Sequence, residues 1–576
     1  MKPAQRIGLA LLVAGVLVLC GSDGAPAWGQ AKASVPAAAS ASAPAVPVVI
    51  YTKDNAPPTP KLEDLGLQDS VSQYGITWTF ERPARVGQFV NGDWYVVGPA
   101  TVKAISPAPI MGKQIPAEQI DSYEKRKGYG EKCIRNGSML NPPAKMQLAY
   151  DSRQLNVFAP SLVSLPPYEM KPGDSLVSAA SLEPNQVSKF PYHSGGTIKS
   201  KGACPVKVMA VLTCVTEPQP ADAFRPAYCD RKAVLYRARN LRRELLPKLE
   251  RVAGAPDPVA FAAVFQKPWI DVCIFMATRP MENMPHYGQW SGQAVGDAGL
   301  LLSMDFTPQE KERLLGNLVQ VGIDYWGAVR AGHAGWPCWG GHSSGMKFPI
   351  VFAGAVLGDD EMAGVSKGYP KVSFGEDEQT AYGDCWTGAK VVFTGHSGID
   401  AATGIGRDGQ RDAHMLWGPY EHLTPDKWHV DNYQSEAYRR ANTSNCWVGQ
   451  ALVARLMKLE GAWAHDAFFD YVDRWMTEDD KPWRNEAFKY DPEKTEAYRD
   501  DTKTWYHEGF TSEPWVKEMW TKYRSRSAAP TDGWKKKHDD SYYRTAIEKQ
   551  PPTSKRGPAP GTAEQSGAGS ATAPAK

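Results

Sequence analysis

The chain has 576 residues, with 65 basic and 63 acidic side chains and a formal charge of +2. Near-neutrality without a basic stripe argues against nucleic acid as a partner. The length is more than one ordinary domain holds and suits two.

In chain order, Met1 to Ala27 reads as an export signal. Lys2 and Arg6 give a positive start, Ile7 to Leu19 an apolar run, and Ala25-Pro26-Ala27 a small-x-small cleavage pattern. The run is shorter than the roughly 20 residues of a spanning helix. The mature chain is therefore expected to be exported, periplasmic or extracellular, with no integral membrane segment. Cys20 follows Leu19, where a lipoprotein signal would carry a small residue. Residues 28–47 are Ala/Ser/Pro-rich and read as a tether, and 549–576 as a tail of similar composition.

Residues 48–217 carry strand patterns. Gly75 to Phe80 alternates β-formers, and Gln88 to Val97 is a hairpin turning at Asn91-Gly92. Thr101–Ile105, Gln147–Tyr150, Ser161–Leu165, Asp174–Ser178 and Val206–Val215 read as further strands of a β-sandwich-like domain. Eight cysteines follow the signal, an even number that permits disulfides; Cys204 with Cys214 or Cys229 is a plausible local staple. None forms a CxxC pair, which argues against a zinc ribbon or a thioredoxin-type site.

Residues 222–545 change to a helical period. Ala233–Ala253, Pro258–Met276, Gly288–Met304, Phe348–Leu357, Thr387–Thr394, Ser435–Leu459 and Ala467–Met476 are predicted helices. Thr307-Pro308-Gln309-Glu310 is an N-cap with proline at the first helical position, opening another that runs towards Arg330. The fold class expected is multidomain α plus β, the β-sandwich-like domain being followed by a helical toroid.

Seven of the eleven histidines fall between His286 and His429, among many tryptophans, tyrosines and acids. Such a mixture offers proton-transfer groups beside flat apolar faces suited to sugar rings. His286 and Tyr287 are adjacent, so they diverge on a regular helix but can share a surface on a loop. Ala331 to Gly345 is a glycine-dense loop holding His333, Trp336, Trp339 and His342, where glycine lets backbone approach a ligand. Glu376-Asp377-Glu378 has the look of a solvated acidic cap, and Asp384 of an N-cap or a reactive carboxylate. Trp417, Tyr420, Glu421, His422 and Trp428 surround an acid and a histidine with aromatic rings, surroundings that shift pKa values. Arg439 and Arg440 have the chemistry to hold a carboxylate, and His465 reads as a capping or packing residue. No HExxH, HxH or EF-hand loop is present, Ser343 and Ser344 lack a G-x-S-x-G setting, and neither metal nor cofactor is expected.

On Gly340-Gly-His-Ser-Ser-Gly345 and Trp417-Gly-Pro-Tyr-Glu-His422, and on the order of patterns, the chain resembles secreted carbohydrate-active enzymes built on an (α/α) toroid with a β-domain. The resemblance implies a polysaccharide or oligosaccharide substrate and one of two mechanisms. A lyase acting on a uronic-acid polymer needs a base, an acid and a carboxylate neutraliser; His342, Tyr287, and Asn283, His333 or Arg439 fit those roles. A glycoside hydrolase needs paired carboxyls, for which Glu421 and Asp384 stand ready. A non-catalytic glycan-binding envelope protein is the third reading, served by the aromatic residues alone. The richness in His and Tyr favours the lyase.

Overall fold

The computed structural model describes residues 48–144, 150–154, 158–183, 187–189, 197–199, 205–230, 234–270, 279–285, 287–400, 418–491 and 509–549. The expected export signal, tether and tail, most of the Gln147–Tyr150 strand, Cys204, His286 and Trp417 lie outside them. The protein is mixed α and β, with a β-rich N-terminal region and a helical C-terminal one. Among the described residues, no helix is long and apolar enough to cross a membrane.

The N-terminal region is one eight-stranded sheet rolled almost into closure. Its strands are β1 (Leu67–Gln73), β2 (Ile76–Gln88), β3 (Trp94–Val97), β4 (Ala100–Ser106), β5 (Ser138–Leu140), β6 (Tyr168–Met170), β7 (Ser175–Ser181) and β8 (Val206–Val215). They run in the order β5-β7-β8-β3-β2-β4-β6, with β1 also on β2. The long β2 makes the roll: beside β1, which pairs with it from Ile76 to Arg85, its Thr77 to Phe80 pairs with β4, whereas Val86 to Gln88 pairs with β3. Pro83, which has no N–H to donate, falls between the two ladders. Inside the roll Trp78 of β2 donates through Nε1 to Ser178 Oγ of β7 at 3.0 Å, across strands that are not sheet neighbours. Phe80, Val102, Val208 and Leu212 fill the space around it. The predicted hairpin forms at Asn91-Gly92, with Gly92 at φ +87°. Ser161–Leu165 is not a strand; only Ser164 bridges, to Ser138, because Pro160 and Pro166-Pro167 deny that stretch a ladder. Cys214 and Cys229, each offered as the disulfide partner of Cys204, are free thiols.

A buried guanidinium joins the two regions. Arg225 pairs with Asp93, just past the hairpin turn, and with Asp324 in a helix of the C-terminal region.

That region carries α1 (Gly288–Ser303), α2 (Pro308–Arg330), α3 (Lys347–Leu357), α4 (Val430–Tyr438), α5 (Ser444–Leu456), α6 (Asp466–Thr477) and α7 (Pro514–Tyr523). Thr307 caps α2 as expected, accepting from Glu310 N. Three predicted helices do not form. Over 234–253 the chain makes only short 3-10 turns, because Leu246 precedes Pro247 and is extended at ψ 124°. The predicted Pro258–Met276 helix reduces to single turns at Pro258–Phe261 and Ala263–Gln266, stopping where Lys267 precedes Pro268; 271–278 lie outside the described residues. Thr387–Thr394 is instead the second half of a β-hairpin, Thr380–Tyr382 with Val391–Phe393, as its β-branched and aromatic residues favour. The predicted Ser435–Leu459 helix is α4 and α5 joined through a π-helical segment, Arg439–Thr443. Such insertions redirect side chains and recur at functional sites.

Candidate functional site

Four chain segments meet around the glycine-dense loop. Tyr287 stands immediately before α1 in extended conformation, φ −138° and ψ 144°, so its ring leaves the helix surface. It meets His342 edge to face, ring centroids 4.8 Å apart, and Trp290 at 5.9 Å. The loop is held close by missing side chains. A Cβ on Gly341 would stand 2.8 Å from Tyr287 Oη, and one on Gly340 would stand 2.9 Å from His396 Cδ2 and 3.0 Å from Tyr438 Cδ1. Glycine is what these approaches require. His396 in turn packs tilted at 4.3 Å against Tyr438, the last residue of α4, and its Nδ1 lies 3.0 Å from Ser435 Oγ. Gly340 N donates to His396 O, and Gln379 Nε2 donates to Gly340 O at 2.9 Å, tying the two histidine loops together.

Tyr287, Trp290, Trp339, His342, Tyr438 and Asn442 are half-buried, with His396 buried beneath. The arrangement is a surface of aromatic rings and imidazoles. Burial, then the neighbouring Arg279 guanidinium, pulls the pKa of His342 down to about 3. Burial, then His342, does the same for His396, also to about 3. Both imidazoles are therefore neutral at ordinary pH. Arg279 donates to His342 O at 3.2 Å and to Pro285 O at 3.3 Å, which places its charge directly behind the loop.

The acidic run that resembles a solvated cap is buried and structural. Glu378 accepts from Cys338 N at 2.9 Å, Glu376 from Gly345 N, and Asp377 pairs with buried Lys347. These carboxylates grip both ends of the glycine loop and the start of α3. Burial pushes the Glu376 carboxyl up to about 7. Its folded pKa lies above the unfolded value near 4.5, so this group's stabilisation is complete below about pH 4.5 and lost as pH rises towards 7, on the order of 2–3 kcal/mol. Glu376→Gln should remove that dependence. Between about pH 5 and pH 7.5 the variant's Tm is expected to fall less, or rise more, than the native chain's; equal slopes would remove Glu376 from this role.

Of the sequence-predicted site residues, the structure brings Tyr287 and His342 together and places Trp339 on the same loop. His286 and Trp417 lie outside the described residues, and the remaining ones are engaged elsewhere. Glu421 is 1 % exposed, accepts from both guanidinium nitrogens of Arg474 at 2.8 and 3.0 Å and from Phe393 N at 2.6 Å. Its carboxylate is enclosed by these donors. Asp384 lies in the hairpin turn, exposed and bonded to Lys390 at 2.6 Å, and caps no helix. Arg439 is buried against Glu436 at 2.8 Å and Arg440 pairs with Glu436 and Asp480, so neither presents itself to a carboxylate outside. Asn283 donates to Val264 O and Lys267 O. His333 is buried, accepts from Gly335 N at 3.0 Å and tilts on Trp336, which is itself in the core beside Phe374. Tyr420 donates to Glu436 at 2.6 Å, and Trp428 to Leu423 O at 2.8 Å. His422 faces Tyr543 Oη at 3.3 Å, with burial pulling its pKa down to about 4. His465 packs as expected, Nε2 lying 2.9 Å from Thr380 O.

His396, Tyr438, Asn442 and Arg279 belong to the cluster, and the sequence reading passes over them. One signal was present: Gly395-His396-Ser397 repeats the Gly341-His342-Ser343 triplet. Among the described residues no group of three or more His, Cys, Asp or Glu is placed to hold a metal ion. Comparison with family models, curated proteins and solved structures finds no match to the chain.

Proposed function

We propose that the protein is an exported polysaccharide lyase, cleaving a uronic-acid-containing polysaccharide or oligosaccharide by β-elimination at the Tyr287–His342 cluster. The observation that carries the reading is the 4.8 Å contact between these two rings, on a half-buried surface where His342 is held neutral. A neutral imidazole is a base ready to accept; a tyrosine is an acid able to donate. His342 takes the proton beside the uronate carboxylate, that C–H pair becomes the new carbon–carbon double bond, and the departing glycosidic oxygen takes its proton from Tyr287. Solvent then returns Tyr287 and His342 to their starting states. An imidazole of such low basicity needs help, and the substrate supplies it: the uronate charge offsets Arg279 and raises the His342 pKa on binding. Asn442 and His396 are neutral polar residues of the same cluster suited to receive that carboxylate, and Trp290, Trp339 and Tyr438 are rings suited to sugar faces.

The paired-carboxylate alternative is weaker because Glu421 is enclosed by Arg474 and Asp384 is tied to Lys390. The toroid reading extends to the helical region, where α1 contacts α5 and α2 contacts α3, with the rolled sheet as its β-sandwich-like companion. Export rests on residues 1–27.

Incubating the purified chain with a panel of anionic and neutral polysaccharides tests the reaction class. Ultraviolet absorbance from the new double bond should rise with a uronate polymer. New reducing ends without that absorbance would mean hydrolysis, and co-sedimentation without either would leave a glycan-binding protein.

A further inference from the structure

Trp483, in the helix Lys481–Lys489, is 39 % exposed, and among the described residues no other tryptophan is exposed to that degree. An indole so placed forgoes much of the stabilisation that burial would give. It does not stand alone. Trp386, half-buried in the hairpin turn, meets it edge to face with ring centroids 5.5 Å apart, and Trp386 also meets buried Trp428 at 6.2 Å. Trp428, Trp447, Trp463 and Trp475 all donate their indole N–H within the protein. Trp386 and Trp483 make no such bond among the described residues, which leaves two rings and two N–H donors for a partner that carries hydroxyls.

The position of this pair connects it to the histidine cluster. Trp428 packs on Tyr433 of α4 at 5.4 Å, and the helix that carries Trp483 rests on the turn Pro425–Lys427 just before Trp428. From this end α4 runs to Tyr438 and Asn442, which belong to the Tyr287–His342 cluster. Between Asn432 and Ala437 every residue of α4 is buried except Gln434. What stays at the surface is one ridge of Asp431, Gln434, Tyr438 and Asn442, whose spacings of three and four keep them on a single helix face. At 1.5 Å per residue the ridge is about 16 Å long.

We infer that Trp386 and Trp483 form a remote sugar-binding platform, and that the α4 ridge carries the substrate chain between it and the cluster. The inference rests on the lyase reading for the far end of the chain, and it makes the substrate a polymer rather than a short oligosaccharide. Indole rings suit the apolar faces of sugars, and indole N–H groups suit their oxygens. The ridge has one charged residue, Asp431, set against His429 at 3.4 Å, so most of its length is neutral towards an anionic chain. Contacts to distant sugar units supply binding energy that holds the reacting unit in place.

Electrophoresis of the full chain through native gels containing alginate, polygalacturonate or hyaluronan reads binding directly. The native chain should be retarded by at least one polymer relative to a polymer-free gel. Trp483→Ala and Trp386→Ala should each weaken the apparent affinity about threefold to tenfold, the range of one aromatic contact, and Trp483→Tyr should restore most of it. In turnover of a cleaved polymer the loss should fall in KM rather than kcat, and the advantage of polymer over disaccharide should shrink. Native retardation and KM in both alanine variants overturn the platform and leave the cleavage reading intact. Retardation that Trp483→Ala abolishes, with no polymer cleaved, keeps the platform and removes the lyase. A native chain retarded in none of the gels overturns the inference. Concentration-dependent self-association that Trp483→Ala abolishes assigns the pair to a second copy of the chain, and overturns it too.

Discussion

His342→Ala should lower kcat/KM for β-elimination by about 10²–10⁴-fold, the usual contribution of a positioned general base. Tyr287→Phe should lose a comparable factor while keeping the ring that packs on Gly341 and Trp290. Neither change removes a buried ion pair, so Tm should stay close to native. The pH profile adds a readout that a structural role would not move. In an ordinary histidine site kcat/KM falls below about pH 6.5 as the base is protonated. Here His342 and His396 are both pulled down to about 3, so the acid limb set by the free protein should lie far lower. An acid limb centred near pH 6.5, or an unchanged rate in His342→Ala, would move the base to another residue.

The depressed histidines also affect stability, with a definite sign. A histidine neutral in the fold but protonated once unfolded costs stability as pH falls below the unfolded value of about 6.5, down to the folded value. His396 is buried, so the native chain should lose on the order of 1–2 kcal/mol through this residue alone by about pH 5. Glu376 works in the opposite direction over much of the same range. The net acid response is therefore a difference, and single substitutions compared at two pH values are the means of separating its parts.

Local signals were the readable ones. Asn91-Gly92 and Thr307-Pro308 state their turn and cap within four residues, and both form as expected. The Leu-rich stretch around 241–249 misleads because Leu241, Leu246 and Leu249 bury themselves from turns at nearly helical spacing, while Pro247 forbids the helix. The site divides in the same way. Tyr287 and His342 were legible since a glycine-dense loop bearing histidine is difficult to explain by core formation alone. Glu421 was not, because what defines it is Arg474, 53 residues further on. Nor does composition distinguish a solvated acidic run from one buried against Lys347 and two loop amides; only the long-range contacts of Glu376, Asp377 and Glu378 do so.

Arg474→Ala should be among the most destabilising single changes in the helical region, costing about 3–5 kcal/mol. Arg474 and Glu421 are both about 1 % exposed, and the guanidinium also reaches Glu478 at 2.8 Å and Val391 O at 2.9 Å. Removing it strands a carboxylate that already accepts the Phe393 amide and lies 3.7 Å from Arg439. Glu421→Gln keeps the shape and one acceptor, so it should cost less than Arg474→Ala. Replacing both residues with methionine should recover part of the loss, since an apolar pair of similar volume leaves no buried charge. Chemical denaturation measures the ordering, and turnover per folded molecule measures the role. If Glu421 is a counter-ion, Glu421→Gln lowers Tm but leaves the rate of the folded fraction near native. Abolished cleavage at native Tm would instead make Glu421 a reacting carboxylate and return the hydrolase mechanism to first place.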